Sequence, residues 1–263
     1  MAELWLRLAG ARLRSELQYR TSFVLLVAMV FVFSFLDFVA VLVIFGAIDE
    51  MAGWSFAEVA LLYGTSGVAF NLANLFVAGV DTAAEHIRAG TFDTLLLRPV
   101  GTIVQLTSND IALRRMGRLA QASLVLVIAL GAADVQWTVS RAVMVPVLLL
   151  SGAAIFGGIW VIVAAIAFWT VENRAIANSV TYAGNYLTFY PFDVFSGWLR
   201  GIAAIVPLAF VNYLPVAWIL GKDDAYDWPR WAGLVSPLVA LLTVLAARAV
   251  WSFALRRYRS TGT

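Results

Sequence analysis

AVMVPVLLLSGAAIFGGIWVIVAAIAFWTV, residues 142–171, runs for thirty positions without a charge. A helix needs about 20 apolar residues, each rising about 1.5 Å, to cross the hydrocarbon core of a bilayer. This stretch is long enough to do so, and it is one of several. Outward from it, charges divide the chain into apolar blocks at 21–48, 56–80, 116–137, 142–170, 175–192, 201–221 and 231–253. Hydrophobic residues make up 62% of the 263 positions and charged residues 13%, against roughly a quarter charged in soluble domains. A water-soluble globule is excluded, and the fold class read from this pattern is all-α and polytopic.

Seven blocks conflict with the charges. Arginines crowd 7–20, 88–118, position 174 and 248–259, whereas the intervening loops are acidic or mixed, as at Asp49, Glu50 and Glu58, at Asp134 and Arg141, and from Lys222 to Arg230. Positive loops stay cytoplasmic. Both termini are therefore expected inside, with an even number of complete crossings. The block to demote is 191–221, broken by Pro191, Pro207 and Pro215, because proline removes a backbone donor and bends a helix. Broken backbone at membrane depth survives only inside protein or beside a water-filled cavity. The expectation is six spans within one domain, 21–256, with a re-entrant helical hairpin on the outer side before the last span. An ordinary kinked seventh span is the alternative. Residues 1–20 read as an amphipathic helix lying in the interface, and 257–263 as a cytosolic tail.

Function-bearing chemistry is sparse. There is no cysteine and a single histidine, His86, which lacks a second metal ligand at suitable spacing and reads as a solvated loop residue. Ser66 lies among small and apolar residues with no His–Asp partner. No G-x-x-x-x-G-K-[ST] phosphate loop is present, so the chain is not expected to be an enzyme by itself. The net charge of +2 is too small to point to nucleic acid.

Three segments carry more than hydropathy. In the second span, Gly64, Gly67, Asn71, Asn74 and Ala78 recur at helical spacing, as helix-packing glue or as the lining of a path. In the fifth, Asn178, Tyr182, Asn185, Tyr186 and Phe189 include amides and hydroxyls too costly to face lipid. The loop 81–118 holds Glu85 and Arg88 at i, i+3. Thr91 follows as an expected N-cap, then Phe92 and Asp93 in a first turn, then apolar residues through Leu97 until Arg98-Pro99 stops the helix. That short surface helix, about 85–99, is where a soluble machine could grip a membrane domain. Glu172-Asn173-Arg174 is a smaller second contact. Asp37 interrupts the first block, but about 26 Å of helix separates it from Arg20, which places it near the outer boundary.

Four stretches together resemble the membrane (permease) subunits of type-2 ATP-binding-cassette (ABC-2 type) exporters, within a branch long known only as a family of unknown function. They are ELQYRTSF (16–23), GTFDTLLLRP (90–99), IAFWT (166–170), and Tyr190-Pro191 with IVPLAFVNYLP (205–215). The resemblance implies a half-transporter in the bacterial cytoplasmic membrane. Two such subunits, identical or related, would pair within membrane lipid and dock two cytosolic ATPase subunits. ATP and Mg would bind those partners, and no cofactor this chain. It also implies that Glu85 and 91–99 form the ATPase-coupling element. The expected cargo is amphipathic, drug-like or lipid-like. A non-transporting scaffold or sensor, and an ion-coupled secondary transporter, are the alternatives.

Overall fold

The computed structural model describes residues 20–109, 115–170, 174–222 and 228–258. The expected interface helix and the last residues of the tail lie outside them. The described chain is all-α apart from one tiny hairpin. Helix α1 spans Arg20–Phe45; strands β1 (Glu50–Met51) and β2 (Trp54–Ser55) pair antiparallel and lead into α2, Phe56–Val77. A 3-10 turn joins α2 to α3, Ala83–Arg88, and then come α4, Phe92–Leu96, and α5, Thr102–Asn109. The longer helices resume with α6, Met116–Ala132, and α7, Val139–Ala165. Then follow α8, Arg174–Leu187, α9, Gly197–Ile205, α10, Tyr213–Leu220, and α11, Ser236–Arg257.

Four helical segments are long and apolar enough to cross a membrane, Arg20–Phe45, Phe56–Arg88, Val139–Phe168 and Arg230–Arg257, and Met116–Ala132 and Leu208–Leu220 are shorter apolar ones. Helix α2 is central, packed on α6 and α7; α7 also packs on α11, and α1 on α6. The first turn of α2 is fixed by a capping box, in which Ser55 Oγ accepts from the Glu58 amide and Glu58 accepts from the Ser55 amide at 2.7 Å.

Glycine permits the close contacts. A Cβ on Gly64 would lie 2.7 Å from the Leu126 Cα, and one on Gly67 2.9 Å from the Ala122 Cβ. Part of the stripe on α2 is therefore packing glue against α6. Gly157 and Gly158 on α7 similarly face Val77 and Thr243.

Three features differ from the sequence reading. Among the described residues, the segment 81–118 contains three short helices rather than one; α5 hides a polar face, with Thr102, Gln105 and Ser108 buried, so its hydropathy gave no signal. Thr91 holds the N-cap position of α4, but its hydroxyl does not cap; it donates to the His86 carbonyl and lies 2.8 Å from His86 Nδ1. His86 is thereby in a helix rather than a loop, with Thr91 as its partner at an exposed site. Finally, the Ser66 hydroxyl is not in apolar surroundings but pairs with the Thr188 hydroxyl.

Candidate functional site

Two regions carry the candidate residues. At one end of the bundle, Gly90 adopts φ 67°, a left-handed conformation that suits glycine, and turns the chain from α3 into α4. The fully buried Phe92 then inserts between Phe168 (5.2 Å between ring centroids) and Tyr258 (5.1 Å). Phe168 stacks edge-on against Trp251 of α11, and Trp251 Nε1 donates to Thr102 Oγ1 at 3.0 Å. One aromatic cluster thus ties α4 to the ends of α7 and α11. Gln105 Nε2 donates to the carbonyls of Leu95 and Val100, satisfying acceptors left open where α4 stops.

The outer surface of the same element is different. Leu97 is 85% exposed, and Glu85, Arg88, Arg98 and Pro99 are exposed as well. Asp93 lies beside Tyr258; burial first, and then that carboxylate, push the phenol above its ordinary value of 10.0. Glu172 and Asn173 are outside the described residues. Arg174 opens α8, but its side chain and that of Asn178 are likewise outside the described set.

The second region is a cleft of about 120 Å³ between α1, α2, α6 and α8. It gathers Asn71, Tyr182, Asn185 and Tyr186, named from the sequence, with Gln121 and Arg118. Asn71 Nδ2 donates to the Gly67 carbonyl at 2.8 Å. Asn74 is buried elsewhere, and its carbonyl accepts from Arg115 at 3.2 Å. The floor of this region is braced by Asn212, fully buried, whose Nδ2 bridges the carbonyls of Leu62 (2.9 Å) and Thr188 (2.7 Å).

Arg118, Gln121 and Asp37 were missed as cleft residues. Arg118 counts as a loop charge in the sequence. The contact that brings it to the cleft is non-local: a Cβ on Gly117 would sit 2.6 Å from the Val27 carbonyl, so the start of α6 lies well along α1. Pro191 and Pro207 each precede a 3-10 turn, and Pro215 sits in the first turn of α10, where its missing N–H costs no helix hydrogen bond.

At the opposite end of the bundle, Asp193 accepts from Trp54 Nε1 (3.2 Å) and Tyr213 Oη (2.5 Å). Lys222 Nζ reaches Glu58 at 3.1 Å, the Gly53 carbonyl at 2.8 Å and the face of Trp54 at 4.8 Å.

The fold defines a multi-pass, all-α membrane protein with a polar cleft among its helices. The sequence pattern of the ABC-2 family transporter proteins matches residues 31–262. The chain belongs to that family, as a membrane component of an ABC transporter and not itself a catalyst. Comparison with curated proteins and with solved structures gives no match.

Proposed function

We propose that this chain is the permease subunit of an ATP-driven exporter of amphipathic, drug-like or lipid-like compounds. Two cytosolic ABC ATPase subunits would energise a pair of permeases, identical or related, in the bacterial cytoplasmic membrane with both termini inside. Six crossings would be made by α1, α2, α6, α7, α8 with the residues after it, and α11. Residues 191–221, carrying α9 and α10, would enter and leave from the outer side. The cleft between α2 and α8 would be the path, alternately opened as nucleotide shifts the complex between two states that it binds unequally.

One observation carries this reading: α4 is held inward by the buried Phe92 and presents Leu97 outward. A force applied at Leu97 would reach the ends of α7 and α11 through packed rings. An exposed apolar side chain next to a charged one, as Leu97 is to Arg98, is suited to a hydrophobic socket on a soluble partner.

The test places Leu97→Asp and Glu85→Arg, separately, in a permease co-expressed with its ATPase. Co-purification and permease-stimulated ATP turnover should both fall at least ten-fold, with the thermal midpoint of the permease unchanged. Full association and turnover in both variants would sink the docking site. ATP-dependent efflux from liposomes holding the whole complex distinguishes a transporter from a scaffold.

A further inference from the structure

Asp37 on α1 and Arg118 on α6 line the same cleft, yet among the described residues no ion pair joins them. Both are exposed at the cleft, Asp37 within the apolar run of α1 and Arg118 in the first turn of α6. A charge among membrane helices is costly unless a partner or water compensates it. Next to them are two further unmet groups. Asn185 is 8% exposed and Gln121 2%, and Asn185 Oδ1 and Gln121 Nε2 are buried without a hydrogen-bond partner. Buried polar atoms without partners are rare enough in folded proteins to call for an explanation.

A second cleft, about 290 Å³, shares Ser34, Asp37 and Arg118 with the first and continues along α1 over Leu26, Met29 and Phe33. The two together make one feature: a polar end bearing a cation, an anion, an orphan acceptor and an orphan donor, opening onto an apolar trough.

We infer that this double cleft is a binding site for a single-chain or lipid-like amphiphile with a zwitterionic headgroup. The headgroup's anionic oxygens would lie on the Arg118 guanidinium and the Gln121 amide, charge-assisted bonds of the stronger kind. Its cationic group would lie against the Asp37 carboxylate and Asn185 Oδ1. The hydrocarbon chain would follow Met29 and Phe33. A purely anionic amphiphile would leave Asp37 uncompensated, and an uncharged one would leave both charges so; the site therefore discriminates by the cost of stranding a charge. The inference deepens the exporter reading by naming its substrate class, and it rests on the cleft being the path.

The test measures equilibrium binding of radiolabelled lysophosphatidylcholine to the full chain in phosphatidylglycerol nanodiscs. An alkyl phosphate and an alkyl glucoside of equal chain length serve as the anionic and uncharged comparisons. Lysophosphatidylcholine should bind at least ten-fold tighter than either, and Arg118→Gln or Asp37→Asn should each abolish that preference. Arg118→Lys and Asp37→Glu, which keep the charges, should retain most of it and exclude simple misfolding. Equal affinity for the three probes, or a preference surviving both neutral variants, overturns the inference. So does a changed dimer fraction with unchanged preference, which would make the two charges a contact between subunits. Repeating the measurement in phosphatidylcholine nanodiscs separates the sources: weakened binding assigns the ligand to the surrounding lipid, and unchanged binding to a separate cargo. No ATPase is present, and Leu97→Asp should leave binding intact, so failure here is distinct from failure of the docking site.

Discussion

Lys222, the only lysine in the chain, closes the end of the bundle opposite α4 by reaching Glu58 at 3.1 Å and the carbonyl of Gly53, 169 residues away, at 2.8 Å. The capping residue of α2 is thus also the counter-ion that holds the segment after α10. Gly221, in the left-handed region at φ 79°, ends α10 and lets the chain turn toward that contact.

Replacing Lys222 with Met should cost about 1–2 kcal/mol, since an ion pair, a hydrogen bond and a ring contact are lost together. In a double-mutant cycle with Glu58→Gln, the coupling should be roughly 0.5–1 kcal/mol and shrink in high salt. Thermal unfolding in detergent measures both; zero coupling would show the pair to be incidental.

Phe92→Ala removes the ring at the centre of the cluster that joins α4, α7 and α11 and should destabilise the permease by about 3–5 kcal/mol. Leu97→Ala, at a position that buries almost nothing in the chain itself, should change the unfolding midpoint little. Equal effects would contradict the inward and outward division of the element.

Gly79 separates two elements that touch: a Cβ there would lie 2.4 Å from the Leu106 carbonyl oxygen. Gly79→Ala should therefore destabilise by about 1–3 kcal/mol as α5 is pushed away. Gly101, with nothing within 4 Å of its would-be Cβ and no positive φ, is the control. Gly101→Ala should be neutral or stabilising by up to about 1 kcal/mol.

Asn212→Leu keeps the branched outline of the side chain and deletes both bridging donors; the Leu62 carbonyl still accepts from Thr65 Oγ1, whereas the Thr188 carbonyl loses its side-chain partner. The loss should be about 1–3 kcal/mol for that carbonyl. Faster amide exchange at 186–190 is the local sign to look for, and unchanged exchange there would show that the bridge does not hold α8 to α2.

The Tyr258 phenol is raised above 10.0 by burial and by Asp93. A raised folded value means that the neutral phenol is the favoured form. Its contribution is complete below pH 10 and is lost as pH rises through the shifted value. A pH series of unfolding midpoints should show an alkaline loss that begins near pH 10 and is smaller in Asp93→Asn and smaller still in Tyr258→Phe.

Much of this was legible in the sequence. Uncharged runs such as 142–171 reveal lipid-embedded helices because hydropathy sums over neighbouring residues, and Arg98-Pro99 announces the stop of α4 because proline acts locally. The polar character of α8 was also visible, and it brought Tyr182, Asn185 and Tyr186 to notice. Helix α5 was not, since apart from Leu106 its buried residues are polar, Thr102, Gln105, Thr107 and Ser108, and hydropathy does not register the partners that let polar residues be buried.

By itself the sequence determined that the chain lives in a membrane, that it is helical, that it belongs with the ABC-2 transporters, and that its charges sort into two kinds of loop. Only the tertiary structure decided that Arg118 leaves its apparent loop for the cleft that Asp37 enters, that Asn74 does not, and that Phe92 points in while Leu97 points out. The reason is physical. Transfer to lipid is additive along the chain, whereas the rotation and depth of each helix are set by close contacts such as Gly117 against Val27 and Gly64 against Leu126, between residues far apart in sequence.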